Sequence, residues 1–415
     1  EPKNLKNAHG ICFDNRDKNN PLLIVTSRED IVYFSLTAAL RGEVAGVSVI
    51  SGSGIPGSDA TIRIRGFGSV NGNAKPLYVV DGVPMTEEEF SKINLNDIKN
   101  MAILKDAAAT SIYGSRGANG VIIVTTKKGT AGKAKVNYDA YYGINTYEFP
   151  SSRTGESYVK LRREAARTIG ITDDQLVFDG PGELDAVQAG EFVDWMDLII
   201  SNGSQQSHNV SITGGSEKTS VFGSAGYFKE DGMLKSNDFN RYNMRLNLDQ
   251  TVNNWMKVGF NTQIVYSATN NRQNPLGQAT QISPLGVPFN DDGTIRLFPL
   301  PDGTTISPLA DERSEFIARN NSLRNNIVAN AYISISPLKG LNFRSNIGTN
   351  FNNTRQGIFN DRTSLAFSFR NKLRSFKNAE RYGRYEKSSG KWNQRVEKRK
   401  QGNFSKFGRN LSVIK

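Results

Sequence analysis

The sequence predicts an α+β domain followed by an antiparallel, up-and-down β-sheet of transmembrane-barrel type. Three observations carry that expectation. Helix and strand signals mix between residues 36 and 132; seven runs between 133 and 351 then alternate apolar and polar residues with period two; and the connections between those runs alternate strictly between longer and tight.

Residues 1–35 form an unassigned N-terminal arm. Its one ordered-looking feature is the extended apolar run Leu23-Ile24-Val25-Thr26. In the next segment, Ser35 to Gly42 reads as a short helix with a serine start and a glycine stop, and Val44 to Ile50 as a strand. Thr61 to Gly66 is a second strand, with Ile62 and Ile64 on one face and Arg63 and Arg65 on the other. Lys75 to Val80 is apolar on both faces, hence a buried strand, and ends in the turn Asp81-Gly82. Asn96 or Asp97 is expected to cap a helix carrying Ile98, Met101, Ile103 and Leu104, with a further helical turn from Ala107 to Tyr113. The glycine-rich Gly114 to Gly120 interrupts it, and Val121 to Thr126 returns as a strand.

Beyond Val136 the apolar set, for example Tyr242, Met244, Leu246 and Leu248, opposes Asn243, Arg245, Asn247 and Asp249. The connections run long (about 148 to 206), short (Gly215 to Lys218), medium (Lys229 to Asn240), short (Gln250 to Asn254), long (about 268 to 325) and short (Pro337 to Gly340). Tight turns therefore fall on one side and large loops on the other, the pattern of outer-membrane barrels. In hydrocarbon every backbone polar group must be paired inside the protein, so without spanning helices only a closed sheet can cross. The apolar face should meet lipid and the Asn/Arg/Gln/Ser face a wet interior.

Composition narrows the chemistry. A single cysteine, Cys12, excludes an intramolecular disulfide and a multi-thiolate zinc site, and two histidines, His9 and His208, leave little for metal or nucleophilic catalysis. Mean hydropathy is −0.47 and no apolar run approaches a spanning helix. The net charge of +12 would suggest a nucleic-acid binder, but residues 366–415 hold 15 Lys+Arg and 3 Glu, leaving 37 basic and 37 acidic residues for the rest. The excess belongs to a tail (352–415) expected to be disordered. An alternative reading is a soluble nucleic-acid-binding protein in which Lys387, Lys391, Arg395, Lys398, Arg399 and Lys400 contact phosphates. Gly52-Ser53-Gly54-Ile55-Pro56-Gly57 satisfies the dinucleotide pattern, but a strand and not a helix follows, so a Gly-rich strand connection is the better reading.

Five motifs in order, Leu40 to Val47, Ile62 to Gly66, Pro76 to Pro84, Ile103 to Ala107 and Tyr113 to Ile122, closely resemble the plug domain of SusC/RagA-type TonB-dependent outer-membrane transporters. Asp194-Trp195, Ser207 to Asn209, Gly214 to Ser216 and Arg241 to Leu248 resemble the start of that family's barrel. The resemblance implies a plug (36–132) inside a 22-stranded barrel of which 133–351 supplies about seven strands. It also implies import of a glycan or peptide across the outer membrane of a Gram-negative cell. Expected partners are the TonB complex, a SusD-like surface lipoprotein and outer-membrane lipid; nucleic acid, cofactors and covalent catalysis are not expected. The plug motif residues are Arg63, Arg65, Gly66, Asp81, Gly82, Lys105, Asp106, Tyr113, Gly114, Arg116, Gly117, Asn119 and Gly120. Arg63 and Arg65 either pair with carboxylates on the barrel wall or form an ordinary polar strand face. Asp81-Gly82 is expected to shape a turn, and Lys105-Asp106 and Arg116 to be structural within the plug. Leu23 to Thr26 could add as a strand to TonB. With seven strands, the chain is expected to be a truncated or disrupted transporter product that does not transport by itself.

Overall fold

A computed structural model describes residues 8–14, 22–27, 47–51, 55–58, 60–64, 66, 75–105, 111–147, 155–180, 182–300, 302–338, 340–366 and 410–414. Strands β1 (Ala8–Asp14) and β2 (Leu22–Ser27) form an antiparallel hairpin. The α+β domain contains a two-stranded sheet, β3 (Val47–Ser51) and β4 (Ala60–Ile64). Beside it lies a four-stranded sheet of β5 (Leu77–Val80), β6 (Val83–Met85), β7 (Ile98–Leu104) and β8 (Val121–Thr126), in the order β6-β5-β8-β7 with β5 and β8 parallel. Its core joins both sheets: Ile62, Ile64, Tyr78, Val80, Phe90, Ile93, Ile122 and Val124 are buried together. The short helix Glu87–Phe90 is closed by a Thr86/Glu89 capping box, which satisfies two otherwise orphaned N–H groups.

Residues 98–104, expected as a helix, are strand β7. A register shift between Ile98 and Asn100 places one extra residue in the strand, so Ile98 and Met101 lie opposite Thr126 and Val124 of β8. This β-bulge converts a spacing of three into a same-face spacing and so imitates helical periodicity. The cap lies two residues before Asn96: Asn94 accepts from Asn96 N and starts the 3₁₀ turn Leu95–Asp97. Two short 3₁₀ pieces within Ser111–Gly117 are separated by a kink at Gly114 (φ 58°, ψ −147°), the glycine expected to break the helical turn, while residues 35–42 and 106–110 lie outside the described set. Gly120 takes φ +91°, and a Cβ there would lie 2.7 Å from Ile64 Cδ1, so the bare backbone is what lets β8 approach β4.

The remaining strands form one antiparallel sheet in chain order: β9 (Gly132–Asn145), β10 (Gly203–Gly215), β11 (Thr219–Asp231), β12 (Asp238–Asn253), β13 (Met256–Asn270), β14 (Ala318–Leu338) and β15 (Leu341–Asn360). All seven stand where the alternation placed them. β15 runs on to Asn360, and β16 (Asn410–Ile414), within the basic tail, pairs with β15, so these parts of residues 352–415 are strand. Residues 367–409 and 415 lie outside the described set.

The sheet is polar inside and apolar outside. On β12, Tyr242, Met244 and Leu246 are 52%, 60% and 42% exposed, while Asn243, Arg245 and Asn247 are 4%, 5% and 1% exposed against the α+β domain. The outward face carries a registered aromatic row, His208, Tyr227, Tyr242 and Tyr266, directly opposite one another on β10 to β13, with Trp255 in a turn at the other end. Apolar bands flanked by aromatic residues are what the bilayer interface selects. At the end where the long connections lie, the described parts of segments 155–202 and 271–317 pack together through Trp195, Ile199, Ile282 and Leu309, with Trp195 Nε1 donating to Ser283 O at 2.9 Å.

If the outward face lies in hydrocarbon, Leu246→Arg should destabilise the folded sheet by about 2–4 kcal/mol in lipid vesicles. Urea titration of the folded protein checks this; an unchanged midpoint would show that the face meets water.

Candidate functional site

Alternation along β10 to β15 points the polar side chains at the α+β domain, and the contact between the two is the most elaborate polar site among the described residues. Its centre is Arg245, whose side chain is almost fully buried. The turn after β5, with Asp81 at φ 50° and Gly82 at φ 87°, brings Asp81 to 3.7 Å from Arg245 Nη1. The 3₁₀ turn Leu95–Asp97 brings Asp97 Oδ2 to 3.4 Å from Arg245 Nε, an ion-pair separation rather than a well-formed hydrogen bond. Arg245 also donates to Gln263. Asp81 is held in place by Thr126, which donates to it from N at 3.0 Å and from Oγ1 at 2.6 Å. Burial pushes the Asp97 carboxyl above its usual range, with Arg245 and Ser224 drawing it part of the way back.

Around this centre neutral and charge-assisted contacts are mixed. Asn247 Nδ2 donates to Thr126 Oγ1 at 3.0 Å and to Lys127 O at 2.6 Å, and Asn94 Nδ2 donates to Asn209 Oδ1 at 2.8 Å. Asn350 Nδ2 donates to Glu89 Oε1 at 2.5 Å, and Arg324 pairs with the neighbouring Glu88. Further along, Gly57 N donates to Glu230 Oε2 at 3.0 Å, and a Cβ on Gly57 would enter the Phe239 ring. Apolar contacts cross the site as well: Val328 of β14 joins the α+β core, and the buried Phe239 ring of β12 lies against Gly57. Asn243 Nδ2, Asn261 Oδ1, Asn326 Oδ1 and both polar atoms of the Asn330 amide are buried without a protein partner among the described residues. Groups of this kind bond to water, so the site is wet.

The motif residues divide. Asp81 does shape a turn, and it also faces the wall. Arg63 is half-buried on β4, while Arg65 and Asp106 lie outside the described residues. Ion pairs cross the site in both directions: Arg245 and Arg324 of the wall meet Asp81, Asp97 and Glu88 of the domain, and Lys128, just past β8, meets Asp249 of the wall. Lys105 directly follows β7, Arg116 is exposed, and Gly117 is buried. Tyr113 packs against Leu77, Val79 and Val121, and Asn119 Nδ2 donates to Lys75 O at 3.4 Å. Gly66 and Gly114 take φ 77° and 58°; with Gly82, Gly117 and Gly120 they serve backbone shape. Leu23 to Thr26 lie in β2, hydrogen-bonded to β1. Sequence reasoning did not single out Arg245, Asn247, Asn209, Asn350, Glu230 or Gly57. For the wall residues the inward phase of the alternation was the available signal; Gly57 stood inside a motif read for another purpose.

Residues 24–121 match the TonB-dependent Receptor Plug Domain family. The chain is 35% identical over 329 residues to TonB-dependent receptor P26 of Formosa agariphila, covering 77% of this chain and 32% of that protein. It is 38% identical over 219 residues to TonB-dependent receptor SusC of Bacteroides thetaiotaomicron, covering 50% of this chain and 20% of SusC. The structure of the RagAB peptide importer in its closed-closed state superposes with a TM-score of 0.66 at 28% identity, covering 78% of this chain and 39% of that one. The chain thus spans about a third of the length of the curated relatives it matches.

Arg245→Met should leave Asp97 buried and unpaired and weaken seating of the domain by about 3 kcal/mol, while Arg245→Met with Asp97→Leu should recover most of the loss. Urea-dependent proteolysis of β5–β8 reads both; equal loss in the single and double variants would show that the pair does not act as a unit. Because the Asp97 carboxyl is raised in the folded protein, its own contribution grows as pH falls through that raised value and is complete below the usual 3.8. Asp97→Asn should flatten the pH dependence of seating over that window, and an unaltered profile would assign the dependence to other groups.

Proposed function

The chain belongs to the SusC/RagA-type TonB-dependent receptors, and from that premise we propose that it is the plug-bearing part of an importer. Its cargo is a large polar nutrient, an oligosaccharide or a peptide, carried across the outer membrane of a Gram-negative cell. The observation that supports this most directly is the reversed sheet: apolar side chains face outward, and the polar ones hold a separate folded domain. A domain that blocks a polar passage through hydrocarbon has a transport role open to it and no evident catalytic one.

On this reading transport is binding followed by displacement of the plug, with no covalent step and no cofactor. The nature of the seat suits displacement. A hydrogen bond exchanged for bonds to water contributes only about 0.5–1.5 kcal/mol net when neutral and about 1.5–3 kcal/mol when one partner is charged, so a seat that divides its hold among several such contacts yields one at a time. Force would come from the TonB complex of the inner membrane, with Leu23 to Thr26 as the candidate strand for it to pair with. A SusD-like surface lipoprotein would close over the end where the described parts of segments 155–202 and 271–317 pack into one body. The basic tail gives no second reading: the relatives are receptors and importers, which lends the nucleic-acid alternative no support.

Two experiments test the proposal. Joined to the remaining barrel strands of a relative such as SusC, this chain should support uptake of a labelled oligosaccharide or peptide, and uptake should stop when the proton-motive force is dissipated; no uptake through the completed barrel would remove the reading. Deleting residues 21–27 should abolish capture by an immobilised TonB C-terminal domain, and unchanged capture would move the coupling segment elsewhere.

A further inference from the structure

At the short-turn end of the wall lies a side-chain cluster that the seat around Arg245 does not include. Asp249, on the inward face of β12, accepts a hydrogen bond from Tyr332 of β14 at 2.6 Å through Oδ1. Its other oxygen, Oδ2, lies 3.0 Å from Lys128 Nζ. The Tyr332 ring crosses β13 over Gly259, where any Cβ would collide with it. Arg344 of β15 stacks on that ring at 3.9 Å from its centroid, and Lys128 lies over it at 5.4 Å. Four consecutive strands thus cooperate to present one carboxylate.

Lys128 belongs to the segment between β8 and β9, the only covalent link from plug to wall within the described residues. Its neighbours are held too. Asn247 receives no backbone donor there but gives its own amide to Lys127 O at 2.6 Å, and Gly129 lies against the β11 backbone so closely that a Cβ would strike Val221 N. Flexible links between moving parts do not need a lysine, two wall carboxamide or carboxylate partners and a glycine-seated tyrosine. Fixing Lys128 costs side-chain entropy, which a preorganised carboxylate offsets better than a mobile one. Tyr332 supplies that preorganisation: its hydroxyl holds Oδ1 and leaves Oδ2 for the ammonium.

We propose that Asp249, positioned by Tyr332 over Gly259 and flanked by Arg344, is a docking site for Lys128 that makes residues 127–131 a fixed hinge. The plug can then leave the Arg245 seat while its connection stays on the wall, so it returns to the same register. The hinge role rests on the importer reading, in which the plug moves; the docking does not.

The test is proteolysis with trypsin across a urea series on the intact protein in detergent, with cut positions identified by mass. Lys99 lies within β7 and is cut only when the plug opens; Lys127 and Lys128 report the hinge. In the wild type, at urea concentrations that open the plug, cleavage after Lys127 or Lys128 should be about tenfold slower than after Lys99. In Tyr332→Phe and Asp249→Asn the two rates should converge, and Asp249→Glu should restore part of the separation. Heat-modifiable migration confirms in each case that the wall is folded. Coincident cleavage in the wild type, or variants that keep the full separation, would overturn the proposal. None of these readouts involves uptake, so a failed uptake experiment and a failed hinge experiment are distinguishable.

Discussion

The constraint on which the structure turns is the period of two in a β-strand. A strand sends successive side chains to opposite faces, and a wall that gives its apolar side chains to lipid has only polar ones left for whatever it encloses. The plug therefore cannot be held as a core residue is held. Its apolar side chains are used internally, around Tyr78, Phe90 and Ile122, and against the wall it offers Asp81, Asn94, Asp97 and Glu89. Val328 is the exception that shows the rule, a single apolar wall residue reaching the plug core among carboxamides.

That constraint sets the energetics of the seat. Burying an isolated charge is costly, and burying one ion pair at Arg245 requires two carboxylates and Gln263 to surround it. Carboxamides avoid most of this cost, because Asn donates and accepts without carrying charge. A seat made chiefly of Asn, with partnerless amide atoms such as those of Asn330 left to water, is already part-solvated before any force acts. On the importer reading, water enters as protein bonds lengthen, so separation proceeds without leaving polar groups bare.

The wall was legible in the sequence because its information is local. Alternation marks each strand, and connection lengths mark which end faces which side; neither needs a distant partner. The plug was legible by resemblance, with one misreading that has a physical cause: the bulge at Ile98 and Asn100 gave β7 the spacing of a helix. The seat was not legible. Asn94 meets Asn209, and Glu89 meets Asn350, across separations of 115 and 261 residues. No local pattern distinguishes an inward Asn that touches the plug from one that touches water. Even the direction of the ion pairs was open, since Arg63 on the plug and Arg245 on the wall sit in equally alternating strands.

Gly57 shows how a motif is reassigned by its surroundings. Glycines in such a spacing permit a backbone to come close to something bulky or to offer its N–H groups. In a nucleotide site the bulky partner is a pyrophosphate beside a helix N-terminus. Here it is the Phe239 ring, and the N–H goes to the carboxylate of Glu230. The chemistry available from the glycine is the same, close approach plus a donor, but its partner is an anion fixed to the wall. The charge balance of residues 1–365 takes on a similar meaning. Equal numbers of acids and bases do not imply that plug and wall are joined mainly by ion pairs. Some of these charges pair across the seat, as Arg324 does with Glu88, and others within one part, as Arg162 does with Glu183.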